Sequence, residues 1–98
     1  MDVTSILADA LKKPVGREQP LGCCRVYVSI CDPAAAKKVS AAAKKLGKDF
    51  QKRSHYGTKN AFYVGYDNMD GMALARGTAV VDALKAAGID CYRDEQGD

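Results

Sequence analysis

Apolar side chains open the chain at Val3, Ile6, Leu7, Ala10 and Leu11, a spacing that lays them on one helical face. Asp2 or Thr4 can cap this helix, Lys12 and Lys13 suit the negative end of its dipole, and Pro14 stops it because the ring cannot follow in a helix interior. The pattern predicts a helix over residues 1–13 and a connector over residues 14–22, "PVGREQPLG", which has no periodicity. The helix then reads as an appendage. The period shortens to two in "CCRVYVSIC", where Cys24, Val26, Val28 and Ile30 share one face of a strand and Arg25, Tyr27 and Ser29 take the other. "DPAAAKKVSAAAKKLG" is a marked helix, with Asp32 as its cap, Pro33 at its first position, Gly47 at its end, and Ala35, Val39, Ala42 and Leu46 inward.

"FQKRSHYG" and "AFYVGYD" predict two strands joined near "GTKN" as a hairpin. "DNMDG" supplies caps for a third helix running to about Ala87, ended by Gly88, with Met72, Ala73, Val80, Ala83 and Leu84 apolar. Gly77 in its interior costs about 1 kcal/mol relative to Ala, which points to a close backbone approach. "IDCYRDE" is the last strand, with Ile89, Cys91 and Arg93 alternating against Asp90, Tyr92 and Asp94. The order β-α-β-β-α-β over residues 23–95 predicts an α+β, ferredoxin-like domain: one antiparallel sheet, two helices on one face, and an extra N-terminal helix in front. Ninety-eight residues suffice for a single domain.

Composition agrees with a globular chain, 47% apolar and 28% charged. No apolar run approaches the roughly 20 residues of a membrane span, and the N-terminus lacks a basic head before an apolar stretch, so a cytoplasmic protein is expected. Cys23, Cys24, Cys31 and Cys91 include no C-x-x-C pair, and the single histidine is remote from them. They are expected as buried free thiols, with no metal and no cofactor.

Charge is uneven. Residues 37–59 hold Lys37, Lys38, Lys44, Lys45, Lys48, Lys52, Arg53 and Lys59 against Asp49 alone, whereas residues 60–98 hold three bases and seven acids. Lys37, Lys44 and Lys48, with Lys38 and Lys45 beside them, fall on neighbouring helical stripes without an intervening acid, an arrangement slightly unfavourable for the helix itself. Phosphates or an acidic protein surface would complement it; a solvated face is the competing reading. The acidic C-terminal part could also meet this face in a second copy, giving a homodimer.

In a sheet covered on one side, Phe62 and Val64, which share a face with Tyr66, are expected inward, leaving Ala61, Tyr63 and Gly65, joined by Arg25 and Tyr27, on the open side. "VYVSIC" and "KNAFYVGY" resemble the two short ribonucleoprotein motifs of RNA-recognition domains, with Asn60, Ala61 and Phe62 standing where the second motif has Gly, an aromatic and a small residue. The resemblance implies that Tyr27 and Tyr63 stack on bases of single-stranded RNA or DNA. "RSHYG" with "RGTAVVDALKAAGI" faintly resembles HicA-type toxin ribonucleases, which implies His55 as a general base.

The leading expectation is a small non-catalytic protein whose basic helix and open sheet engage single-stranded nucleic acid. Next comes an inhibitor or adaptor, of the kind phages and mobile elements encode, that binds an acidic or nucleic-acid-handling host protein complex. A metal-independent ribonuclease is third.

Overall fold

The computed structural model describes residues 2–19, 24–53, 59–67 and 71–97 of the chain, without the side chain of Arg53. Seven elements follow one another: α1 Val3–Lys12, β1 Cys24–Ile30, α2 Pro33–Lys45, β2 Phe50–Arg53, β3 Lys59–Tyr66, α3 Met72–Ala86 and β4 Cys91–Gly97. The four strands form one antiparallel sheet in the order β2-β3-β1-β4. The architecture is α+β.

Local chemistry sets the helix ends. Asp2 accepts hydrogen bonds from the Thr4 amide and the Ser5 hydroxyl at the start of α1. Asp32 accepts from the amides of Ala34 and Ala35, with Pro33 beginning α2. Gly47 and Gly88, at φ 71° and 83°, follow the ends of α2 and α3 in the left-handed conformation. The entry to α3 is more constrained. Gly71 has φ 72°, its amide donates to the buried Asp67 carboxylate at 3.1 Å, and a Cβ there would lie 1.9 Å from the Glu18 carbonyl oxygen. Only glycine fits both the turn and the connector pressed against it.

Helices α2 and α3 pack on the sheet, and α1 packs on those two helices. Leu7 and Ala10 of α1 are buried in the same core as Val28, Ile30, Val39, Phe62, Val80 and Leu84. Arg76 of α3 reaches the end of α1, donating to the carbonyl of Ala10 at 2.7 Å and to that of Lys13. The first helix is therefore an integral third layer rather than the appendage its proline-bounded connector suggested. Being packed from two sides, α3 buries Leu74, Ala75, Gly77, Val80, Val81 and Leu84, while Met72, expected inward, is 41% exposed. The close approach expected at Gly77 is present: a Cβ there would stand 2.9 Å from Val26 Cγ1 and 3.0 Å from Arg93 Cδ.

Two of the cysteines depart from the expectation of buried thiols. Cys24 is disulfide-bonded, and Cys31 is a free but exposed thiol. Cys91 is free and buried, and burial pushes its thiol up to about 11. No described helix is long and apolar enough to cross a membrane.

Candidate functional site

The sheet face turned away from the helices carries the aromatic rings, and a bulge decides which ones. Tyr27 pairs with Tyr63 but the next residue back, Val26, pairs with Gly65, so β3 carries one extra residue, Val64, at that point. Gly65 faces the helices, where a Cβ would meet Ala73 of α3 at 3.7 Å. Beyond the bulge Tyr66 pairs with Arg25, on the same face as Tyr27 and Tyr63. Tyr66 thus leaves the inward set of Phe62 and Val64 in which strict alternation had placed it.

Exposure redistributes the roles. Tyr27 keeps only 4% of its surface exposed, with its ring centroid 5.3 Å from that of Tyr63 at an interplanar angle of 57°. It acts as a wall for its neighbour and offers no free ring face. Tyr63 is half-buried, whereas Tyr66 and Tyr92 are 44% and 49% exposed. Tyr92 lies opposite Ser29, whose buried hydroxyl donates to the Lys59 carbonyl at 2.8 Å. Arg25 and Lys59 are exposed. The rings presented to solvent are therefore Tyr63, Tyr66 and Tyr92. Sequence reasoning missed the last two, although Gly65 inside a strand is a known sign of a bulge.

The lysines of α2, with Lys52, gather on the other side of the sheet, in two rows. Lys37 and Lys44 of α2 and Lys52 of β2 rim a groove of about 400 Å³ floored by Pro33, Ala36, Ala41 and Phe50. Lys38 belongs to the opposite row, beside Asp2 and Thr4 at the start of α1. Hydrogen bonds from Ser5 and Thr4, and to a smaller extent the Lys45 charge, hold the Asp2 carboxyl below its ordinary range. Lys48 is exposed in the turn after α2. The Arg53 backbone pairs with Lys59 near the end of the hairpin. His55 lies outside the described residues. The structure brings Lys37, Lys44 and Lys52 together and parts them, by the thickness of the sheet, from Tyr63 and Arg25.

A third polar cluster belongs to the fold. Arg93 of β4 donates to Glu18 at 2.7 Å, to the Thr78 hydroxyl at 2.9 Å, to the Leu74 carbonyl at 3.0 Å, and to Glu95. Thr78 donates to the other Glu18 oxygen at 2.6 Å. The hydrogen bond from Arg93, then that from Thr78, holds the Glu18 carboxyl below its ordinary range. Among the described residues, no three His, Cys, Asp or Glu side chains cluster closely enough to hold a metal ion. Comparison with protein-family models, curated proteins and solved structures finds no match to this chain.

Proposed function

We propose that this chain is a small non-catalytic binding protein that holds single-stranded nucleic acid against the exposed tyrosines on the helix-free face of a ferredoxin-like sheet. The strand order, with β1 and β3 central and a helix following each, supports that fold assignment. One observation carries the functional reading: Tyr63, Tyr66 and Tyr92 stand on one sheet face, with Arg25 opposite Tyr66 and the exposed Lys59 further along β3. Bases stack on tyrosine rings whatever their sequence, each contact being worth about 1–3 kcal/mol, and neighbouring cations follow the phosphates.

The grouping of Lys37, Lys44 and Lys52 away from the rings favours a second reading, in which the chain is an inhibitor or adaptor that grips an acidic protein. The two readings use different surfaces.

Fluorescence anisotropy of short single-stranded RNA and DNA at two salt concentrations tests the first. Binding should weaken with salt, and Tyr66→Ala and Tyr92→Ala should each lose about 1–3 kcal/mol of affinity. Lys59→Gln should flatten the salt dependence. Absence of binding at low salt, or tyrosine variants indistinguishable from the parent, would remove the nucleic-acid reading. Shortened RNA that depends on His55 would instead support the ribonuclease.

A further inference from the structure

We infer that the groove between α2 and β2 docks an extended acidic segment of another protein, which joins the sheet as an added strand on the β2 edge. Three features of one place carry this. First, β2 ends the sheet, so its outer backbone edge has no strand partner among the described residues. Unpaired peptide groups on such an edge are a ready template for a further strand.

Second, the groove beside that edge is mostly apolar: Pro33, Ala36 and Ala41 of α2 and Phe50 of β2 line it, with Ser40 and Asn60 as its uncharged polar residues. A strand added to β2 would turn every second side chain over this floor, next to Phe50 and Lys52. Third, Lys37, Lys44 and Lys52 rim the groove, all exposed, and no hydrogen bond or ion pair among the described residues engages their ammonium groups. Three cations at one rim select for carboxylates. They also oppose pairing of this edge with the same edge of a second copy.

Spacing narrows the segment further. Lys37 and Lys44 are separated by two helical turns, roughly 10 Å along the axis. Residues on one face of a strand recur about every 6.8 Å. A sequence of the form acid-x-apolar-x-acid sets its two acids about 13.6 Å apart, a few Å beyond the lysine spacing and within the reach of lysine side chains, with one apolar side chain between them over Ala41 and Phe50. A peptide is favoured over nucleic acid here because a phosphodiester backbone has no N–H and C=O groups to continue the β ladder. This site is independent of the tyrosine face.

The experiment is a heteronuclear NMR titration with two synthetic peptides, acetyl-Gly-Glu-Thr-Leu-Thr-Glu-Gly-amide and its analogue with Lys in place of both Glu. The acidic peptide should shift the amides of residues 50–53 and of α2 at about millimolar concentration or below, and the basic analogue should not. The Lys44→Glu, Lys52→Glu double variant should bind at least about fivefold more weakly. Ala41→Trp, which fills the groove without altering charge, should also abolish the shifts. Both variants can be checked for the parent fold by their amide dispersion. The inference is overturned by no response, by equal response to both peptides, by shifts confined to Tyr63, Tyr66 and Tyr92, or by retained binding in both variants. Displacement of the acidic peptide by a short oligothymidylate that shifts the same amides would also overturn it, making the groove a nucleic-acid site.

Discussion

The two edges of the sheet treat charge in opposite ways. At the β4 edge the Arg93 guanidinium meets Glu18, Glu95, Thr78 and a helix carbonyl, and nearby Arg76 bonds the last carbonyls of α1. Each cation there ties a distant piece of chain to α3. At the β2 edge Lys37, Lys44 and Lys52 converge on an apolar groove and bond nothing among the described residues. Like charges so placed repel slightly, so they add nothing to the fold. Charge at one edge is architecture, and at the other it is surface chemistry left for a partner.

Substitutions can break that contrast. The largest effect is expected at Gly71, where alanine meets both the positive φ and the Glu18 carbonyl: Gly71→Ala should lower unfolding stability by about 2–4 kcal/mol in denaturant melts. Arg93→Met keeps the apolar stem but removes the guanidinium donor from the Leu74 carbonyl and the Glu18 carboxylate, leaving each with the Thr78 hydroxyl, and should cost about 1–3 kcal/mol. Partial exposure of the pair, 26% and 37% for the two side chains, argues for the lower half of that range.

A pH series sharpens the same point. The Glu18 carboxyl is lower in the folded chain than in the unfolded one, so its contribution is complete above the unfolded value and lost as pH falls through the folded value. The stability gap between the parent and Glu18→Gln should therefore shrink on acidification. A gap constant between neutral and strongly acid pH would deny the Arg93–Glu18 cluster its structural role. The smallest effect is expected at the other edge, where neutralising Lys44 should leave stability within about 0.5 kcal/mol.

Legibility in the sequence followed the reach of the interaction involved. Asp32, Pro33 and Gly47 act within a few residues, and α2 lies where they place it. The alternation of Cys91 and Arg93 against Tyr92 and Asp94 is likewise a local property, and β4 keeps it. Tyr66 was misplaced because the Val64 bulge is a property of pairing between two strands, and the buried state of Tyr27 depends on Tyr63 from another strand. The burial of α1 depends on Leu7 and Ala10 meeting helices more than twenty residues away, and the contact between Arg76 and Ala10 has no signature in either segment. The lysine set was visible as composition, yet only the fold separates Lys37, Lys44 and Lys52 from Lys38 and from the tyrosine face.

The most direct test of the contrast is the unfolding free energy of a Lys37→Gln, Lys44→Gln, Lys52→Gln triple variant beside the parent, measured at low and at high salt. The account predicts that the variant is at least as stable as the parent at low salt, with the difference vanishing as salt screens the removed repulsion. A variant less stable by about 1 kcal/mol or more would contradict it, because those lysines would then be bonding within the fold rather than standing ready for a partner.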